Sequence, residues 1–108
     1  MRMWNVDPKL MCRNHLLGEA REMHALVGMI LHGKKLSGTK YITQGLVEVH
    51  NIRIRHDVLA LEMLKRNYRH MSPLPDVILW TEGCVDSEQS LKELIKRCPE
   101  CRKRILGA

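Results

Sequence analysis

The chain has 108 residues, with 18 Lys and Arg against 12 Asp and Glu, for a formal charge of +6 and a pI of about 9.4. A domain of this length buries roughly 60–70% of the surface its unfolded chain exposes, enough for one core and not two. The 44% apolar and 28% charged content excludes disorder, and no apolar run approaches the roughly 20 residues of a membrane-spanning helix.

Asp7-Pro8 reads as a helix start, because Asp accepts orphan amide protons and Pro at the first helical position loses no hydrogen bond. Cys12, Leu16, Ala20, Met23, Val27 and Ile30 then recur at three- and four-residue steps, predicting one long helix to about His32, with Gly33 as its stop. The stretch Lys34–Thr43 has no helical period and is expected as a basic loop. A second helix should resume near Gln44, with Leu46, Val49, Ile52, His56, Leu59 and Met63 inward. Arg53, Arg55, Glu62, Lys65, Arg66 and Arg69 lie mostly off that stripe and should face solvent. Ser72-Pro73-Leu74-Pro75 ends it, and the segment after Asp76 reads as an apolar strap. A third helix starts at Asp86 or Ser87 and runs towards Cys98, where Pro99 interrupts it. The expected fold is all-α: one compact domain, residues 1–108, of about three helices.

One face of the first helix is chemically distinctive. His15, Gly18, Glu22 and Ala25 are spaced three, four and three apart, so a carboxylate stands between two small residues. Arg21 adjoins Glu22, and Glu19 lies one turn from His15, so one patch gathers a cation, an imidazole and two carboxylates. On composition alone this is also an ordinary solvated face with local ion pairs.

The runs His15-Leu16-Leu17-Gly18-Glu19-Ala20-Arg21-Glu22 and Arg55-His56-Asp57-Val58-Leu59-Ala60-Leu61-Glu62-Met63-Leu64-Lys65-Arg66-Asn67-Tyr68 resemble the pyrimidine dimer DNA glycosylases of the phage endonuclease V type, over roughly residues 1–75. The resemblance implies a helical domain whose N-terminal segment threads between helices and brings the α-amino group to the catalytic site. It implies that the Met1 amine attacks C1′ of the damaged nucleotide, that Glu22 is the essential carboxylate, and that Arg2, His15 and Arg21 contact DNA. Lys34 and Lys35 are further candidates for phosphate contacts, although either could equally be a solubilising charge. An α-amine suits this chemistry because its reference pKa of about 7.7–8.0 leaves far more neutral amine near neutral pH than a lysine at about 10.4. Met1 is expected to be retained, since Arg2 is too large a second residue for initiator removal. The implied activity is a DNA glycosylase with abasic-site lyase action, through a Schiff base and β-elimination, needing no metal and no cofactor. The partner is double-stranded DNA with a damaged base or abasic site, with no membrane involved, the protein acting as a monomer. The family's extra Arg one turn after the catalytic Glu has no counterpart here, and its aromatic, basic tail is replaced by Cys98-Pro99-Glu100-Cys101-Arg102-Lys103-Arg104-Ile105-Leu106-Gly107-Ala108.

Several features stand outside the resemblance. The first residues lack the apolar core of a secretory signal, so a cytoplasmic setting, nucleoid-associated in a prokaryote, and reduced thiols are expected. Cys98-x2-Cys101 has the spacing of a zinc hairpin, but Cys84 lies fourteen residues earlier and Cys12 far off, so it is half a motif. Packed free thiols lead, with structural zinc and a disulfide as alternatives. The rival functional class is a noncatalytic basic helical module that binds nucleic acid or an acidic protein.

Overall fold

The computed structural model describes residues 1–69 and 73–107, and Ser72 of the expected helix end lies outside them. The described residues contain helices and no strand, as expected for an all-α domain. Five α-helices follow in order: α1 (Arg13–Leu31), α2 (Lys40–Thr43), α3 (Ile52–Lys65), α4 (Ser87–Arg97) and α5 (Pro99–Leu106).

Asp7 and Pro8 do start a helical turn, with Asp7 Oδ1 accepting from Lys9 N at 3.0 Å, but it is a single 3-10 turn, Pro8–Leu10. Met11 and Cys12 are extended, and α1 begins afresh at Arg13, with the Cys12 sulfur as its N-cap. The break turns the fully buried Met11 into the core, which a straight helix from Pro8 would not do. Along α1, Leu16, Ala20, Met23 and Val27 are buried as the spacing requires, and Gly33 follows the helix at φ +80°.

Two expectations between the long helices are corrected. The end of the presumed loop, Lys40–Thr43, is one helical turn, and no helix resumes at Gln44. Residues 44–48 are irregular, and a 3-10 turn, Val49–Asn51, leads into α3. The reason is backbone pairing: Leu46 O accepts from Met3 N at 2.7 Å and Val49 N donates to Glu82 O at 2.9 Å, so this stretch serves both the N-terminal segment and the strap. The strap is non-helical; Val77, Leu79 and Trp80 pack half-buried against the core while Ile78 is exposed, and the flanking Leu74 and Val85 are buried. Gly83 sits in it at φ +92°, and a Cβ there would collide with the Val47 carbonyl. Asp86 caps α4 through Gln89 N, α4 stops at Arg97 just before the Pro99 interruption, and Pro99 opens a further helix, α5.

The N-terminal segment runs through the core, with Met3, Trp4, Val6 and Met11 all buried. Its acceptors are met by Arg55 of α3 and by Arg66, the residue that follows the helix. Arg55, expected at the surface, is buried: its Nε and Nη2 donate to Glu19 at 2.6 and 3.0 Å, its Nη1 to Val6 O at 2.7 Å. Glu19 is likewise core and not part of the α1 surface patch. Glu62 is also buried, paired with Arg66 at 2.8 Å, and Arg66 Nη2 donates to the carbonyls of Pro8 and Met11. These residues leave solvent because α3 is covered on two sides, by α1 and by the N-terminal segment.

Glu48 is a second polar junction. It accepts from Val85 N at 2.8 Å and from Asn51 and Asn5 at 2.7 and 2.9 Å. Burial pushes its carboxyl up, but these hydrogen bonds and nearby His50 outweigh it and hold the group below the ordinary carboxylate range.

Two outcomes follow. Glu19→Gln or Arg55→Met alone leaves a buried charge uncompensated and should cost about 3–5 kcal/mol, whereas Glu19→Leu with Arg55→Met should recover much of it in urea denaturation. A double variant no better than the worse single would refute the charge argument. Because the Glu48 carboxyl is depressed on folding, its contribution is present above its unfolded pKa and lost as pH falls towards the folded one. Glu48→Gln should therefore cost about 1–2 kcal/mol at neutral pH, with the difference shrinking as the pH falls through the lowered folded pKa, measured as pH-dependent melting.

Candidate functional site

Glu22 lies half-buried in the middle of α1, where its Oε2 accepts from the backbone N of Arg2 at 3.1 Å. Adjacent backbone nitrogens are at most about 3.7 Å apart, so the nitrogen of Met1 is within about 7 Å of that carboxylate. Met1 is 43% exposed, so this end of the segment reaches solvent while Met3 is fully buried. The carboxylate and the first residues thus meet at a surface edge of the core.

Arg2 is held by several groups. Its Nη1 pairs with Glu93 of α4 at 2.7 Å, its Nη2 donates to Ser90 at 3.0 Å, and its guanidinium lies 3.9 Å from the Trp4 ring centroid. The edge of Trp4 meets His15 with centroids 5.6 Å apart and planes at 81°. Glu22, Arg2, Trp4 and His15 therefore form one connected line. Arg21 is exposed beside Glu22, and the Gly18 position opens onto free space, with no atom beyond its own stretch of helix within 4 Å of where a Cβ would stand. The face that combines Gly18 and Glu22 can thus admit a ligand closely.

Lys34 and Lys35 are exposed in the turn after α1. The nine residues from Glu22 to Leu31 put that turn about 14 Å along the helix axis, or about four base-pair steps of duplex. They are not gathered with Glu22, although one duplex could span both. Among the described residues none of Arg21, Lys34 and Lys35 has an ion pair.

His15 stands in a group that the sequence had only half disclosed. Its Nδ1 lies 3.2 Å from Cys12 Sγ and 3.6 Å from Cys101 Sγ, while the sulfurs of Cys12 and Cys98 are 3.8 Å apart. One donor atom from each of Cys12, His15, Cys98 and Cys101 falls within 4.8 Å of the others. Cys84 is exposed and outside the group. The signal was present as Cys12-x2-His15, whose spacing repeats that of Cys98-x2-Cys101. Burial pushes the Cys101 thiol up to about 12, with the Cys12 and Cys98 thiols reinforcing the shift and a backbone hydrogen bond from Cys12 opposing it.

A further groove of about 380 Å³ opens next to Cys12, lined by Arg13, Arg66, Tyr68, Lys103 and Arg104. Its bases come from three elements, so no local run of sequence announced it.

Residues 1–76 match the model of the family described as pyrimidine dimer DNA glycosylase, and the chain belongs to that family. Searches of curated proteins and of solved structures found no match.

Gly18→Ala isolates the open face. The helix should gain about 0.5–1 kcal/mol, since nothing meets the new methyl group, while affinity for damaged duplex falls. Unchanged affinity in a binding titration would show that no ligand approaches this face.

Proposed function

We propose that this member of the pyrimidine dimer DNA glycosylase family releases a damaged base and then cleaves the strand, with the α-amine of Met1 as nucleophile and Glu22 as the essential carboxylate. The observation that carries the reading is the 3.1 Å hydrogen bond from Arg2 N to Glu22, which holds the carboxylate one residue from Met1. A noncatalytic DNA-binding module has no need of that juxtaposition.

The neutral amine forms a bond to C1′ as the glycosidic bond breaks and the base leaves with the bonding pair. Glu22, as carboxylate, stabilises the positive charge that develops on the sugar. The Met1 nitrogen then loses a proton, the C1′–O4′ bond breaks with its electron pair going to O4′, which takes up a proton, and a protonated imine forms between the Met1 nitrogen and C1′. That imine acidifies the C2′ proton, whose removal we assign to Glu22. The electron pair of the C2′–H bond then forms the C2′–C3′ double bond and the 3′ phosphate departs with its bonding electrons. No step calls for a Lewis acid. A lesion within a duplex is reached by bending the DNA and taking a nucleotide out of the stack, which the phosphate contacts must sustain. Arg21, Lys34 and Lys35 are the contacts we assign to that work. Arg2 contributes through its backbone, and its guanidinium orients the segment through Glu93, Ser90 and Trp4.

The test compares a protein that starts at Met1 with one carrying an uncleaved N-terminal extension, on duplexes holding an abasic site or a pyrimidine dimer. Borohydride should trap a covalent adduct only with the native start, mapping to Met1, and Glu22→Gln should bind DNA but lose most cleavage. An adduct on Lys34 or Lys35, or full activity behind the extension, would sink the Met1 assignment. Wild-type cleavage by Glu22→Gln would remove Glu22 from the chemistry.

A further inference from the structure

We propose that Cys12, His15, Cys98 and Cys101 form a structural zinc site that clamps the C-terminal helix α5 to the N-terminus of α1. The proposal is independent of the enzymatic reading and concerns a group that the reaction does not use.

The geometry is that of two matched half-sites. Cys12 and Cys98 are the N-caps of α1 and α5, and each is followed three residues later by a second donor, His15 or Cys101. In each half-site the capping sulfur accepts the backbone N–H of that second residue, at 3.4 Å from His15 and 3.5 Å from Cys101. A third such bond crosses between them, from Cys12 N to the Cys101 sulfur at 3.2 Å. Backbone N–H groups aimed at sulfur, at the positive ends of two helices, offset part of the cost of burying these sulfurs and would hold them once bound to a cation. Side chains that merely fill a core have no reason to converge with three N–H groups directed at their sulfurs.

The spacing also fits a tetrahedral ion. With Zn–S bonds of about 2.3 Å, the edge between two sulfurs of a tetrahedron is about 3.8 Å. The Cys12–Cys98 separation is 3.8 Å, and the widest edge of the group, at up to 4.8 Å, closes with a shift of about 1 Å. A disulfide between these two would need its sulfurs near 2.05 Å. Three thiolates with one imidazole are a donor set that selects zinc over hard cations, and four protein ligands leave no open position, which marks a structural and not a catalytic site. On binding, the three thiols release their protons to solvent and His15 coordinates as neutral imidazole through Nδ1. The Zn²⁺ with three thiolates then carries one net negative charge, which the three N–H···S hydrogen bonds offset.

The consequence is mechanical. His15 touches Trp4, Trp4 carries Arg2, and Arg2 N donates to Glu22, so fixing His15 steadies the segment that ends at Met1.

The experiment uses the full chain, purified under reducing conditions without chelator. Elemental analysis should find about one zinc per chain, and replacement by Co²⁺ should give thiolate-to-cobalt charge-transfer absorption with the visible bands of tetrahedral coordination. Cys98→Ser, at a half-exposed position, should weaken zinc binding about a hundredfold or more, while Cys84→Ser leaves it unchanged. Removing the metal should lower the melting temperature by more than about 10 °C. Should Cys98→Ser fail to fold, the Co²⁺ spectrum of the unaltered chain decides the matter. A folded chain that carries no zinc and gives no tetrahedral cobalt spectrum overturns the proposal. So does a metal whose affinity ignores Cys98→Ser, or a Cys98–Cys101 disulfide that persists under reducing conditions.

Discussion

The arrangement depends first on the buried pair between Arg55 and Glu19. Twelve residues at the start of the chain pass through the core with only one helical turn among them, so their backbone acceptors need partners from elsewhere. Arg55 supplies one to Val6, and Arg66 supplies others to Pro8 and Met11. A guanidinium used in this way must itself be compensated, and Glu19 does so through two hydrogen bonds in fork geometry. The pair therefore fixes where the N-terminal segment lies against α1. Three residues further along the same helix, Glu22 turns far enough towards the surface to meet the segment again at Arg2. Two carboxylates on one helix thus have separate duties, one holding the thread and the other facing its end.

Much of this was legible in the sequence wherever a local rule sufficed. The core stripe of α1, the stop at Gly33 and the Asp86 cap each follow from spacing or from one residue's hydrogen-bonding capacity. Arg55, Glu19 and Glu62 were misread because a charged residue in a helical pattern ordinarily marks the solvated face, and only tertiary packing shows a helix covered on two sides. Leu46 and Val49 keep a helical period with Ile52 and yet lie outside α3, because the backbone there pairs with Met3 and Glu82. Periodicity reports which side chains are buried without saying which backbone buries them.

The candidate site was legible to a different degree. Glu22 stood out because its neighbours on the helix are small, and that spacing is local. The sulfur and imidazole group was hidden although both halves show the same two-residue spacing, since nothing in one sequence says that positions 86 residues apart meet.

The last third of the chain, beyond the residues matched by the family, bears directly on the part that matches. Glu93 and Ser90 hold the Arg2 guanidinium, Arg104 donates to the carbonyl of Lys9, and Leu94 and Cys101 complete the core around the N-terminal segment. Residues 1–76 therefore do not build the neighbourhood of Met1 alone. The chemistry-bearing helix and the elements that frame it are separate in sequence, so the frame can change while α1 stays the same. With Arg2 engaged by Glu93, Arg21 stands exposed beside Glu22 on α1, and Lys34 and Lys35 are exposed in the turn that follows the helix. The Gly18 position on the same helix meets no neighbouring element, so the frame supplied from elsewhere in the chain leaves the helix that carries Glu22 open at that point.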